Sequence, residues 1–578
     1  MATPPLRKDT MSDRLRLVVF TAGPLSAINR ALFTRLAGDP LLDLQAIIVD
    51  ERVRRPRPLL ARIARGLRED GWPWLWFKAL TTTQALGARV ARALFVTVHG
   101  SAATESYETL AGATGVVVRR VADVNSDASV SLIRALRPQL GVIVQAPIPG
   151  EAVTSIPERG TVNIHRRKLP EYRGSGPVGY WEAMAGESSI GVTVHYAGAP
   201  LDPGDVLDET TIPIEECDTL ASLRLKADLV GAQLCHEAIR KVVRGEARGV
   251  PQAGRHAHTY RAPTAYRVWR LERELRRRAR GRMPLLRAQP GPLVRARVTL
   301  QYLLLSPLLL AIRRRLRRQR RSPVCVLFYH LVANRPLNHM CLPLEEFVRQ
   351  TEFLRRYYRL LPLEEVPSRL EDRTGDEVAV AITFDDGYRD NKWAIEYMRY
   401  VGVRGAFFVS IGHVLDGSLF EHDVRRGFKE ALPMEPADLQ RLTAEGFLVG
   451  SHGVHHEDLG ALDATATERV LAESCRLLGE TLGAPPDSFS FPRGHWGGNI
   501  TAATFAAAAR HYRHVYSADA GYNFPGDRSR YLFRLCSPTN VLELAAMLDG
   551  YTGFRQCLTG NAWGLKTAAL TPSMTPQH

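Results

Sequence analysis

Short apolar runs alternate with stretches of helical periodicity along the first half of the chain. Residues 15–20 and 44–49 are apolar runs on either side of a helical stretch at 26–36. The same order recurs with an apolar run at 115–118, a helical stretch near 130–136 and another apolar run at 140–145. Buried strands separated by helices predict a parallel α/β sheet. A second series opens at 324–328 and continues through 378–383, 405–409 and 447–450, each run separated by helical stretches. Residues 52–111 resist this reading, being rich in Arg and Trp at their start and weakly periodic. The pattern predicts two α/β domains, at 15–255 and 323–560. A polar N-terminus (1–14), an Arg-rich connector (256–322) with an apolar stretch at 298–312, and a Thr- and Pro-rich tail (561–578) complete the chain. Both termini are expected to fray.

Composition narrows the classes. At 578 residues the chain is too long for one core, and 45% hydrophobic with 24% charged residues is ordinary globular usage. That excludes a wholly disordered, collagenous or coiled-coil protein. The seven cysteines include no CxxC pair, which argues against a disulfide scaffold or a cysteine zinc site.

The net charge of +16 suggests nucleic acid until it is located. Residues 261–321 hold 19 arginines against Glu272 and Glu274, a local net of +17, so the flanking domains are not polycations. The segment has three readings. It is a solvated linker, or a membrane-surface element with the apolar 298–312 flanked by arginine clusters, or a nucleic-acid arm. Nucleic acid is disfavoured because the interleaved aromatics are limited to Tyr266, Trp269 and Tyr302. The apolar stretch is shorter than the roughly 20 residues a span requires. The N-terminus lacks an apolar signal core, so a cytoplasmic protein, with peripheral membrane contact through 261–321, is expected.

Candidate chemistry begins with Asn163-Ile164-His165, followed by Leu169-Pro170-Glu171-Tyr172-Arg173-Gly174. The strand-like Gly191-Val192-Thr193-Val194-His195 and then Leu201-Asp202-Pro203-Gly204-Asp205 come next. Asn-x-His alone is a weak signal, but four motifs in this order and spacing resemble the folate-dependent formyltransferases. The resemblance implies a Rossmann-like domain and 10-formyltetrahydrofolate as co-substrate. It implies that Asn163 and His165 donate to the tetrahedral oxyanion, that Asp202 holds His165 and helps take the amine proton, and that Arg173 and Gly174 contact substrate. Two features depart from the family: Arg166-Arg167-Lys168 follow the histidine, either as a phosphate grip or as a solvated loop, and Arg137-Pro138-Gln139 replaces the usual Lys-Pro-Asp. The small β-barrel appended to the tRNA-specific members is not found after Pro251, and 121–126 looks more like the sugar-modifying branch. An amino sugar is the expected acceptor.

The second constellation comprises Phe328-Tyr329-His330, Thr383-Phe384-Asp385-Asp386-Gly387, Gly450-Ser451-His452 with His456, and Phe491-Pro492-Arg493-Gly494. Together these resemble the polysaccharide deacetylases, the NodB-like carbohydrate esterases, and imply a distorted (β/α) barrel. By that resemblance Asp386, His452 and His456 would ligate a divalent metal, zinc, leaving open positions for water and substrate. Asp385 would be the base and Pro492 would contact substrate. Gly453 stands where the family has Ser or Thr. The family's late leucine–histidine motif, which supplies its catalytic acid, is absent, with Phe533-Arg534-Leu535-Cys536 in that region. His495, His511 and His514 are unranked substitutes.

The combined expectation is a bifunctional amino-sugar enzyme acting on an amino or N-acetylated sugar, nucleotide- or lipid-linked. One domain formylates a sugar amine and the other hydrolyses an N-acyl group, with a relay from deacetylation to formylation as one coupling. The alternative is a tRNA-type formyltransferase whose Arg-rich arm binds RNA, fused to a degenerate, glycan-binding deacetylase domain.

Overall fold

The computed structural model describes residues 14–52, 59–99, 106–197, 204–252, 258–287, 291–372, 375–526 and 530–551. The expected tail at 561–578 and all but the last residue of the expected N-terminal segment therefore lie outside the described residues. Two compact units form, one from 14–90 with 106–276 and the other from 91–99 with 277–551.

The first unit is built on a seven-stranded sheet of order β3-β2-β1-β4-β5-β7-β8. Its strands are β1 (Leu15–Ala22), β2 (Leu42–Asp50), β3 (Val117–Val121), β4 (Leu140–Val144), β5 (Thr161–His165), β7 (Ser189–Tyr196) and β8 (Val206–Pro213). Strands β1 to β5 are parallel, whereas β7 runs antiparallel to β5 and β8 antiparallel to β7. This is the Rossmann-like α/β architecture, with β1 and β4 buried on both faces because helices cover both. Val18, Phe20, Ile48, Ile133 and Ile143 form the centre of one such layer. Helix Leu220–Arg244 lies over β5 and β7, and a side chain at its Gly231 would come within 2.9 Å of Ile164, so the glycine sets that close approach. A small parallel pair, β6 (Tyr172–Gly174) with β9 (His258–Tyr260), forms a separate two-stranded sheet. Residues 258–260 thus belong to the first unit's fold rather than to a free connector. The weakly periodic 52–111 region contains helices Leu59–Asp70, Pro73–His99 and Tyr107–Thr114.

The second unit is a parallel β/α barrel. Its strands are β10 (Val324–Tyr329), β13 (Arg359–Leu360), β14 (Ala379–Phe384), β15 (Ala406–Val409), β16 (Leu448–Ser451), β17 (Ser488–Ser490), β18 (His514–Ala520) and β19 (Tyr531–Cys536). Their order is β10-β19-β18-β17-β16-β15-β14, and β14 pairs back onto β10 to close the ring. The distortion has a local cause: β15 pairs only with the last two residues of β14, while β13 pairs with its first two. A short pair, β11 (Leu331–Val332) with β12 (Cys341–Leu342), follows β10. Asp385 and Asp386 follow β14, His452 follows β16 and Pro492 follows β17, all at the carboxyl end of the barrel, where loops are free to build a site.

The Arg-rich segment is mostly helical. Helices Ala265–Arg282 and Pro292–Arg318 account for most of it, the second running 27 residues where the apolar stretch alone suggested fifteen. Its Tyr302 and Leu309 pack against Ala546 and Tyr551 of the second unit. The Tyr302 hydroxyl donates to Asp549 Oδ2 at 2.5 Å, and Arg313 donates to Asp549 Oδ1 at 3.1 Å.

Candidate active sites

In the first unit, Asn163 and His165 lie two residues apart on β5, so their side chains leave the same face. Asn163 is paired across the antiparallel register with His195 of β7. The His195 Nδ1–H donates to the Tyr196 carbonyl at 2.9 Å, which leaves Nε2 to accept from the Asn163 amide at 3.1 Å. His195 is fully buried, so this bond fixes the amide's orientation and leaves its second N–H for another acceptor. His165 Nε2 donates to the Tyr172 carbonyl at 3.1 Å, and its ring lies 6.1 Å from that of His195. Reading the sequence by motif quoted His195 but gave it no role; the strand register is the signal that would have.

Arg173 donates to Gln252 at 2.7 Å, and Gln252 donates in turn to the Gly204 carbonyl at 2.6 Å. Gly174 has φ +97°, and a Cβ there would meet the Tyr260 carbonyl at 2.2 Å, so the β6–β9 pairing requires glycine. Asp202 lies outside the described residues. In the basic triplet, Arg166 and Arg167 are engaged within the fold, whereas Lys168 is about half exposed. Arg166 pairs with Asp228 at 2.5 Å, and Lys168 lies 3.5 Å from Glu171. Arg167 is buried and donates to the Pro177 carbonyl at 2.7 Å.

In the second unit, Asp386, His452 and His456 converge, with one donor atom from each lying within 4.8 Å of the others. Asp386 Oδ1 is 3.5 Å from His452 Nε2 and 3.4 Å from His456 Nε2. Asp386 and His456 both have positive φ, +71° and +60°, a strained backbone that clusters at functional sites. Asp386 is buried and neither carboxylate oxygen has a hydrogen-bond partner among the described residues. Burial raises its pKa, so the ionised form calls for a cation. His452 Nδ1 donates to the Ser490 carbonyl at 2.7 Å, which directs the Nε2 lone pair toward Asp386. Burial pushes His452 down to about 3, keeping it in the neutral, ligating form. One carboxylate and two imidazoles with an orphaned buried oxygen fit a divalent cation.

Asp385 is clamped by Arg534 of β19. The two guanidinium nitrogens Nη1 and Nη2 each lie 2.7 Å from a carboxylate oxygen. Arg534 is fully buried and also donates to the Ser517 carbonyl, Thr383 Oγ1 and Ser490 Oγ, so all five of its N–H groups are used. Burial alone would raise Asp385, but the guanidinium outweighs it and holds the carboxyl at about 2. Arg534 therefore occupies the region of the absent acid motif as the partner of the candidate base, a role the sequence reading did not give it.

His422, on the short helix Glu421–Val424, was also missed. Its Nε2 lies 3.7 Å from Asp386 Oδ2 and hydrogen-bonds the Tyr388 hydroxyl at 2.9 Å, and Tyr388 donates to Asp423 at 2.8 Å. The other histidines have different partners. His495 pairs with Asp519 at 3.2 Å and His511 with Glu468 at 2.6 Å, while His514 opens β18 at the opposite end of the barrel. Gly453 has φ +82°, and a Cβ there would lie 2.7 Å from Glu457 Oε2. Glu457 accepts from the Val454 and His455 amides, so the turn itself requires glycine in place of Ser or Thr. Pro492 is buried and lies 3.7 Å from that same position.

Two family models match the chain: Formyl transferase over residues 102–239 and Polysaccharide deacetylase over residues 372–511. Both kinds of domain are therefore present. A methionyl-tRNA formyltransferase of Macrococcus caseolyticus is 34% identical over 144 residues, 25% of this chain and 46% of the relative. The chain thus spans about half the length of that relative. Among solved structures, IcaB from Ammonifex degensii is 23% identical, over 39% of this chain and 97% of that one, with a TM-score of 0.34. An N-formyltransferase from Helicobacter canadensis, in complex with folinic acid and dTDP-3-aminofucose, is 13% identical over 43% and 71%, with a TM-score of 0.28.

Proposed function

We propose that the chain is a bifunctional amino-sugar enzyme, a formyltransferase fused to a metal-dependent N-deacylase. The observation that carries the reading is the buried Asp386 carboxylate, without a hydrogen bond among the described residues, facing His452 and His456 in a chain that also carries a formyltransferase domain.

In the first unit, an amine would attack the formyl carbon of 10-formyltetrahydrofolate. The second Asn163 N–H is available to the developing oxyanion, and His165, whose Nε2–H is given to the Tyr172 carbonyl, would donate through Nδ1 in its protonated form. The buried His195 pins the Asn163 amide before the reaction, so no reorientation is required as charge develops. Asp202 is the proposed partner of His165, and Arg173 and Gly174 border the acceptor's place.

In the second unit, Asp386, His452 and His456 would hold the ion, and their donor set suits zinc. When bound, a divalent cation supplies a Lewis acid for the acyl carbonyl and for water. Asp385 would accept the proton on a lone pair not used by Arg534. Its low pKa keeps it ionised across the working range, and the bidentate clamp fixes its direction. Pro492 walls the site beside Gly453.

An amino sugar is favoured over tRNA because the described segment after β9 is helical, at 265–282, 284–287 and 292–318. The resemblance attaches a small β-barrel to the tRNA-specific members. The fused polysaccharide deacetylase domain points to sugar as well, on a nucleotide or a lipid carrier. Mass spectrometry of amino and N-acetylated nucleotide sugars, incubated with protein, 10-formyltetrahydrofolate and divalent metal, tests the reading. Formyl gain on an amine and acetyl loss from an N-acetyl sugar are the expected results. Formylation of methionyl-tRNA with no change in any sugar would overturn it.

A further inference from the structure

Two exposed apolar surfaces, one on each unit, are edged by arginine. On the first, Trp72 and Trp76 are 75% and 82% exposed, and Leu80 continues the same helical face. Tyr266 and Trp269 line the shallow depression beside them, and the Arg273 guanidinium sits over the Trp269 ring at 5.2 Å. Indoles standing outward among arginines are costly to leave in water and are suited to a lipid headgroup layer.

On the second unit, helix Pro292–Arg318 packs one face on its own domain through Tyr302, Leu305 and Leu309. Its opposite face exposes Leu293, Leu300, Leu304 and Leu308, with Leu293 at 85% and Leu304 at 71%. The same stripe ends in exposed Arg314, Arg315 and Arg318. No Asp or Glu occurs anywhere from residue 275 to residue 344, while sixteen arginines do. A helix of this length and composition could cross a membrane. The packed face argues against that, because spanning would strip Tyr302 and Arg313 from Asp549. The exposed apolar run from Leu300 to Ile312 is also only about 18 Å long at 1.5 Å per residue, against a hydrocarbon core of roughly 30 Å.

We propose that each surface, taken by itself, binds the headgroup layer of an anionic membrane, the leucine stripe of the second unit and the indoles of the first entering it and the arginines meeting lipid phosphate. Charge complementarity commits the partner to lipid, since the leucine stripe's own segment carries arginines and no acid and so repels another copy of itself. Membrane binding stands on these surfaces alone. That the membrane also carries the sugar substrate rests on the proposed activity.

Vesicle sedimentation of the full chain tests this. The protein sediments with phosphatidylcholine vesicles containing phosphatidylglycerol and remains in solution with phosphatidylcholine alone. Each arginine near an anionic surface is worth roughly a fivefold change in partitioning. Arg314→Gln/Arg315→Gln/Arg318→Gln therefore lowers binding by about a hundredfold and weakens its salt dependence. Leu300→Gln/Leu304→Gln/Leu308→Gln and, separately, Trp72→Ser/Trp76→Ser each lower it at least tenfold with unchanged circular dichroism. Metal content and turnover of soluble substrate stay as in the parent, so failure here is separate from failure of the proposed chemistry. Absence of sedimentation, binding indifferent to the leucine and arginine variants, or a homodimer that the leucine variant dissociates would overturn the proposal.

Discussion

Replacing Arg534 by Met removes the counter-ion of a fully buried carboxylate while keeping much of the volume. Asp385 is 3% exposed and takes two 2.7 Å charge-assisted bonds from this one guanidinium. Breaking a buried pair by removing one partner costs about 3–5 kcal/mol, since the remaining charge is neither solvated nor neutralised. Ser517, Thr383 and Ser490 lose a donor at the same time, and the cation–π contact with Phe328 at 4.5 Å goes too. Hydrogen exchange read on peptides from β14 and β19 isolates the effect in the second unit. Opening free energies of that size lower protection there by roughly a hundredfold to several thousandfold.

The pH dependence gives a second, sign-specific reading. In the parent, Asp385 sits at about 2, below its unfolded value near 3.9. Its contribution is present above pH 4 and is lost as pH falls toward 2. In Arg534→Met, burial is opposed only by His452 and His330 and raises the carboxyl above the unfolded value, so stability is retained in acid and lost as pH rises through the new value. Adding Asp385→Asn removes the buried charge and restores most of the protection. A fall in protection under tenfold, or an unchanged pH profile in the single variant, would refute the argument that Arg534 neutralises Asp385.

Further outcomes follow from the same geometry. Asp386→Asn leaves the barrel folded but abolishes metal uptake, measured as equivalents of metal per chain by mass spectrometry after dialysis against zinc. Asp385→Asn flattens the acid limb of stability between pH 4 and 2 while leaving metal content unchanged. Gly174→Ala places a methyl 2.2 Å from the Tyr260 carbonyl at a left-handed φ, so formyl transfer falls at least tenfold and exchange accelerates in β6 and β9 but not in β19. Asn163→Asp puts a carboxylate where the oxyanion develops; formyl transfer drops by 100-fold or more, a loss of the size seen when an oxyanion donor is removed, with deacylation untouched.

The two α/β series and the Asp385-Asp386 and His452–His456 motifs were readable because each chemical group directly follows an apolar strand, and strand ends converge at one end of a barrel. Residues whose importance is set by a distant partner were not. Arg534 lies on an apolar strand 149 residues beyond Asp385, and nothing in its neighbours announces a carboxylate opposite. His422 sits on a four-residue helix with no periodicity to place it. The pairing of Arg166 was hidden for a related reason: its partner Asp228 lies 62 positions away, so a local count of charge could not show it. Helix Pro292–Arg318 was underestimated because its arginine ends broke the apolar run without breaking the helix.

The absent leucine–histidine motif looked, on sequence, like the loss of a working part. Arg534 changes what that absence means. A residue that survives only as relic has no reason to keep five satisfied hydrogen bonds in a dry core, because a buried charge that is imperfectly paired is strongly destabilising. Met or Leu at this position with Asn at Asp385 would build a simpler barrel. That the strand instead carries a guanidinium, aimed at the carboxylate beside Asp386 and joined through Ser490 to His452, couples the candidate base and a candidate ligand to one residue. The double variant separates the two interpretations. If Arg534→Met/Asp385→Asn is at least as stable as the parent yet no longer hydrolyses an N-acyl sugar, the pair is kept for chemistry. If it is less stable by several kcal/mol, the pair is structural and the barrel's activity has to be sought in other groups.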